Sequence, residues 1–186
     1  MASNIYSNQI QNRNFLSPTG FKFILNRAPK VAFFSNSANI PSLDLGIATQ
    51  PTYLKDLDIP GDKILFEDFS LRFLVDEDIK NYMEIQNWIR GLGYPESRQE
   101  IINLQTERDK IDTFESGLMD IYSDGTLTVL GSNQRPNFMV KFKDLFPYSL
   151  STLNFDATDT DVEYFTADVS FKYTIYEITD LEGTPL

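Results

Sequence analysis

Residues 164–178, YFTADVSFKYTIYEI, alternate almost without a break between apolar and polar side chains. Phe165, Ala167, Val169, Phe171, Tyr173 and Ile175 fall on one side, and Thr166, Asp168, Ser170, Lys172 and Thr174 on the other. An extended chain turns its side chains to opposite faces at every residue, so this run predicts one very long strand with a dry face and a wet face. At about 3.3 Å per residue it would reach roughly 45–50 Å, whereas an ordinary strand has about 5–6 residues. Such a strand suits a large curved sheet or barrel, and a building element rather than a compact catalytic domain.

The rest of the composition narrows the function classes. The chain has 186 residues, enough for one domain with a real core, and 15 Phe and 9 Tyr exclude wholesale disorder. It has no cysteine, hence no disulfide and no thiolate nucleophile or metal ligand. It has no histidine, which removes the commonest general base and the commonest transition-metal ligand. A formal net charge of −11 argues against tight nucleic-acid binding, which depends on neutralising phosphates. The same charge also serves plain solubility. No apolar run reaches the length of a membrane span, and the first residues, MASNIYSNQIQNRN, are polar rather than signal-like.

Punctuation by Pro, Gly and Asp sets the expected organisation: a polar arm at 1–16, a single domain at 17–178 and a short tail at 179–186. Phe21–Leu25 and Val31–Ser35 read as a hairpin. Residues 40–62 read as an irregular loop, broken by Pro41, Pro51, Pro60 and Gly61, with a type II turn at Pro60-Gly61. That loop carries Leu43, Leu45, Ile47, Tyr53, Leu54, Leu57 and Ile59, which must either fold over their own sheet or dock on a neighbouring subunit. Phe69–Val75 is expected as a strand. Residues 79–92 are expected as an amphipathic helix started by Asp76, Glu77 and Asp78, with Trp88 between helix and sheet. A charged insertion occupies 94–116. Leu118–Leu130 reads as a hairpin turning at Asp124-Gly125, and Asn137–Phe142 as a further strand before a corner at Leu145-Phe146-Pro147. The fold class is mainly β (α+β): a sandwich or partly open barrel with one packed α-helix and a long C-terminal strand.

Nothing in the pattern reads as an active site. Asp156, Asp159, Asp161 and Glu163 are the densest acids, but their spacing is wrong for a calcium loop and the glycine is missing. Residues 59–63, IPGDK, lack the further glycines and the Lys-Ser/Thr ending of a phosphate loop. No catalytic residue, cofactor or metal ligand is expected, and the chain is read as a non-enzyme.

The order of these pieces resembles the tail tube proteins of contractile-tailed (myovirus-type) phages, including tube-like ring proteins of the baseplate and neck. The resemblance rests on FKFIL, then Ser37-Ala38-Asn39-Ile40-Pro41, the long loop, Pro60-Gly61-Asp62, the aromatic strand with its acidic helix start, and the helix ending in glycine. It continues in Leu145, Phe146, Pro147, Leu153, Phe155 and Asp156, followed by the alternating run, and covers residues 17–178. It implies a subunit of a six-membered ring whose strands join into an inner barrel, with rings stacked around a pore that passes DNA at ejection. It also implies partners in copies of itself and in sheath, baseplate and neck proteins, and a location in the phage tail after assembly in the host cytoplasm. An acidic wall would let a polyanion slide without sticking.

On this resemblance the loop contacts the next ring through Ile47, Tyr53, Leu54, Leu57 and Ile59, and Asp168 and Lys172 on the wet face of the alternating run point into the pore. The charged insertion and the polar arm leave open whether the chain is the repeated tube, a specialised ring, or part of a related injection tube. A different class, a carbohydrate- or ligand-binding β-sandwich module, is motivated by Tyr53, Tyr94, Tyr148 and Tyr164, whose rings would stack on a sugar.

Overall fold

One bent strand joins the two halves of the fold. In the computed structural model, which describes residues 15–103, 121–155 and 164–186, that strand is β7 (Pro136–Leu150). Its first half pairs with β6 (Ser123–Leu130) and β9 (Ile175–Thr179), and its second half with β8 (Thr166–Lys172). β1 (Phe21–Leu25) extends the first leaf beyond β6. β5 (Phe69–Leu74) and β2 (Ser35–Ala38) extend the second beyond β8. The seven strands are antiparallel throughout and wrap into a partly open sandwich, as the fold class expected. Phe69 sits at its centre, with ring centroids 5.1 Å from Phe23 of β1, 4.5 Å from Phe142 of β7 and 5.9 Å from Phe171 of β8. Burying each such ring stabilises the fold by about 1.5–3 kcal/mol.

The bend lies at Asp144, whose φ of 57° is left-handed, a conformation Asp tolerates better than most residues. On β7 the buried positions run Val140, Phe142, then Leu145 and Pro147, so the alternation changes phase across the bend. The facing chain changes phase at the same place. The predicted single strand over 164–178 is two strands, β8 and β9, laid end to end along β7 and separated at Tyr173-Thr174, where the Thr174 N–H donates to the Lys143 carbonyl at 3.0 Å. Ala167, Val169 and Phe171 are fully buried, as the alternation requires. Beyond the bend Tyr176, not Ile175, packs on the core, because a one-residue change of phase moves every later side chain to the other face.

Three local expectations are corrected. Val31–Ser35 is not a return strand: Pro29–Phe33 forms a short helix, α1, with Pro at its start, and β1 pairs with β6 instead. Val31 and Ala32, consecutive in sequence, are both buried, which a strand with one inner face cannot do. Residues 40–62 are not irregular: Leu43–Gln50 and Leu57–Phe66 form a two-stranded antiparallel ribbon, β3–β4, with Pro60 and Gly61 inside β4 rather than in a type II turn. Asp124-Gly125 is not a hairpin turn but the start of β6, and the chain turns at 131–135.

The second helix, α2 (Lys80–Gly93), buries Ile85 and Trp88 against the sheet, and the Trp88 indole N–H donates to the Ile121 carbonyl at 3.0 Å. Its start is tied down by Asp76, which accepts from the Lys80 N–H at 3.1 Å. Asn81, fully buried, donates to the Leu74 carbonyl at 2.7 Å and accepts from the Asp76 N–H at 3.2 Å, stitching the end of β5 to the helix. Of the insertion, residues 94–103 are described. There Arg90 forms ion pairs with Glu96 and Glu100, both at 2.6 Å. The polar arm at 1–14, residues 104–120 and the acid cluster at 156–163 lie outside the described residues.

Gly125 is required by packing rather than by a turn: a Cβ there would meet Leu145 Cδ1 at 2.9 Å and Phe23 Cζ at 3.1 Å. Gly125→Val should destabilise the chain by about 1–3 kcal/mol through overpacking, read as a lower urea midpoint at unchanged m-value.

Candidate assembly surfaces

Two surfaces gather the residues singled out from the sequence. The first is the β3–β4 ribbon. Cross-strand partners share a face, so Ile47 lies with Pro60, and Ala48 with Ile59, on opposite sides of the ribbon. Leu57 shares the side of Ile59. Tyr53 and Leu54, at the tip, are 101% and 91% exposed. Leu43, Leu45, Ile47, Leu57, Ile59, Ile64 and Leu65 are exposed along its length. The five contact candidates, Ile47, Tyr53, Leu54, Leu57 and Ile59, are thus brought together on one projecting element, apolar on both sides. Midway, β4 bulges opposite Gly46, and a Cβ on Gly61 would lie 2.4 Å from the Gly46 carbonyl oxygen. The absence of a side chain at Gly61 lets the two backbones cross this closely.

The root of the ribbon is clamped by aromatic residues from the β7 bend. The Phe66 ring lies 6.0 Å from Tyr173 and 5.8 Å from Tyr176, both edge-on. Tyr173 donates its hydroxyl to the Glu67 carbonyl at 2.8 Å, and Tyr176 donates to the Pro41 carbonyl at 3.1 Å. Removal from water pushes the Tyr173 phenol up to about 12, with the nearby carboxylates Asp68 and Glu67 adding to the rise. The alternation put Tyr173 on the apolar face and gave Tyr176 no place. The role of Tyr176 was not legible because the phase change that turns it inward occurs opposite Asp144, far away in sequence.

The second surface is the outward face of the second leaf. Ser70 and Arg72 of β5 stand opposite Ser170 and Asp168 of β8, with Thr166 and Lys172 on the same side. The two pore candidates are both here, and both are paired. Arg72 grips Asp168 with a two-pronged fork, Nε to Oδ1 at 2.8 Å and Nη2 to Oδ2 at 3.3 Å. Lys172 forms an ion pair with Asp68, whose other oxygen accepts from the Tyr148 hydroxyl, and its ammonium sits 5.4 Å from the Tyr148 ring centroid. These bonds from Lys172 and Tyr148 hold the Asp68 carboxyl below the usual range. The Asp168 carboxylate is thus held by Arg72.

The tyrosines that motivated a sugar-binding reading are spread out: Tyr53 at the ribbon tip, Tyr94 at the end of α2, Tyr148 on β7 and Tyr164 before β8. A groove of about 410 Å³ beside the β6–β7 turn is lined by Phe15, Leu16, Pro136 and Phe138, and among the described residues its one charged side chain is Arg135. Among the described residues no cluster of acids could hold a metal ion, and no helix is long and apolar enough to cross a membrane.

Two outcomes follow from the ribbon. Because the folded pKa of Tyr173 is raised, its contribution to stability is fully present below pH 10 and is lost as pH rises through about 12. Tyr173→Phe should flatten the fall in stability between those values, measured by thermal melts across the alkaline range. Gly61→Val should leave the melting temperature of the whole chain within a few degrees while increasing amide exchange in residues 43–66, since the clash is confined to the ribbon.

Comparison with known proteins agrees with this geometry. The phage tail tube protein family matches residues 2–179. The search of curated proteins found no match. Three solved structures share the fold at low identity. A chain of the anti-feeding prophage baseplate superposes with a TM-score of 0.56 at 11% identity, covering 92% of this chain and 99% of that one. The tube-terminating cap of the same particle gives 0.55 at 14%, covering 96% and 99%. A chain of the sheath–tube complex of an extracellular contractile injection system (PVC) gives 0.51 at 14%, covering 91% and 94%. The mainly β architecture, the ordered motifs and a family match over nearly the whole length have one conclusion: the chain belongs to the phage tail tube protein family, a structural component of the tail.

Proposed function

We propose that six copies of this chain close into a ring and that the rings stack into the inner tube of a contractile tail, with the outward face of the second leaf toward the bore. The observation that carries this reading is the β3–β4 ribbon, an element apolar on both sides that the described residues leave exposed. Isolated two-stranded ribbons are marginal in water, and exposed apolar surface of this extent marks an interaction site. Docked on an adjacent ring, Ile47, Tyr53, Leu54, Leu57 and Ile59 lose their contact with water.

Further support comes from the sheet edges. Among the described strands, β2 and the second half of β7 are open edges on either side of the second leaf. Pairing with the edges of neighbouring copies closes such a leaf into a barrel and removes the edges. The baseplate relative was determined in a 6-fold symmetrised particle and the PVC relative in a sheath–tube complex, which favours the same ring and the same sheath partner here. DNA passes through the bore and is not held by it; the pore-facing candidates are Asp168 and Lys172. No step of this function requires catalysis.

A specialised ring is the second reading, favoured by the likeness to a baseplate chain and to a tube-terminating cap. Negative-stain microscopy with mass photometry separates the two. Indefinitely stacked tubes fit the repeated subunit, and rings that stop at a fixed number fit the specialised one. A persistent monomer, alone and with tail partners, contradicts both. In the double variant Leu54→Asp, Leu57→Asp, ring closure should survive while stacking falls at least tenfold. Tubes of normal length in that variant would contradict the assignment of the ribbon.

A further inference from the structure

The face assigned to the bore carries its charge as matched pairs, although the chain as a whole has a net charge of −11. Among the described residues its two cations on β5 and β8, Arg72 and Lys172, each meet a carboxylate, so those four groups sum to zero. Neither pairing is an accident of two long side chains meeting in solvent. Arg72 and Asp168 are direct cross-strand partners in the β5–β8 register, and the fork engages both carboxylate oxygens. Asp68 is fixed from a second side by the Tyr148 hydroxyl, and the Tyr148 ring lies near the Lys172 ammonium. The remaining outward residues of β5 and β8, Ser70, Thr166 and Ser170, carry no charge.

We propose that Asp168 and Asp68 act as built-in counter-ions: they occupy Arg72 and Lys172 so that a polyanion in contact with this face finds no cation to neutralise it. The inference rests on the bore reading for its biological use, but its physical content does not. Affinity of a cationic surface for nucleic acid comes from lysines and arginines that neutralise phosphates and so release the counterions condensed on them. A cation whose charge is already balanced by a carboxylate of its own chain adds little net positive charge to neutralise a phosphate, even where some of its N–H groups stay free. The face then needs no excess of acid to let DNA pass. This differs from a wall that repels DNA by a surplus of carboxylates, because removing carboxylates from a repelling wall only weakens repulsion, whereas here it uncovers two cations on each subunit.

The test uses the full chain carrying Asp68→Asn and Asp168→Asn, which preserve shape and remove charge, with circular dichroism to establish that the fold is kept. Binding of a short fluorescent DNA duplex is titrated at several salt concentrations. The expected result is at least tenfold tighter binding than the parent chain at low salt. The log–log salt slope should steepen by about one for each uncovered cation engaged. Adding Arg72→Gln and Lys172→Gln to the same chain should abolish the gain. Equal binding by parent and doubly substituted chain would overturn the proposal, as would a gain that survives loss of the two cations. The bore reading is tested separately with Ser70→Cys, a unique thiol in a chain without cysteine. In assembled rings or tubes it should react with a small maleimide and be shielded from a bulky one. Rapid reaction with the bulky reagent would place this face outside, while leaving the DNA titration to decide the counter-ion role by itself.

Discussion

The left-handed turn at Asp144 is the constraint on which the other features depend. Without it β7 would continue straight, and its two halves could not belong to two packed leaves. The turn reverses the phase of β7, and the opposing chain must reverse at Tyr173-Thr174 to keep its hydrogen bonds. That reversal brings Tyr176 inward, places Tyr173 at the margin of the core, and lets both phenols reach the chain at either end of the β3–β4 ribbon. A single backbone conformation therefore sets the enclosure of Phe69 and the anchoring of the ribbon together. It also divides the alternating run into one strand that carries the paired charges and another that closes the first leaf.

Rigid anchoring at the root and apolar exposure at the tip make sense together. Phe66, Tyr173 and Tyr176 fix the direction in which the ribbon leaves the sandwich, so less freedom is lost when it docks. Gly61, at the β4 bulge, gives it a narrow waist midway, where its backbone passes directly against the Gly46 carbonyl. On the proposed docking, the energetic cost of leaving Tyr53 and Leu54 in water is recovered when another copy covers them. The same proposal gives a chain of such high net negative charge a reason for an apolar docking element. Copies of it repel one another at long range, and burial of apolar area must outweigh that repulsion at contact.

What the sequence made legible follows from the range of the interactions involved. Alternation and helical periodicity are local, and they placed β5, α2, β8 and the inward Ala167, Val169 and Phe171 correctly. The family resemblance rested on ordered local motifs for the same reason. Strand pairing is not local. Phe21–Leu25 was legible as a strand, but its partner β6 lies across about half the chain, and the nearer Val31–Ser35 looked like the simpler choice. The ribbon was hidden by Pro60 and Gly61, which ordinarily break strands but are tolerated in an open two-stranded edge. The apolar residues within it were singled out nevertheless, and the structure leaves them exposed. Asp168 and Lys172 were legible as outward-facing, while their partners Arg72 and Asp68 were not, because only the β5–β8 register brings them together.

The central claim is that the β3–β4 ribbon is completed by another copy of the chain. Amide hydrogen exchange measured on the same preparation before and after assembly tests it most directly. The account predicts that residues 43–66 exchange rapidly in the free subunit and become strongly protected in stacked rings, while the sandwich core around Phe69 and Phe142 changes little. Equal exchange of the ribbon in the free and assembled states would contradict it.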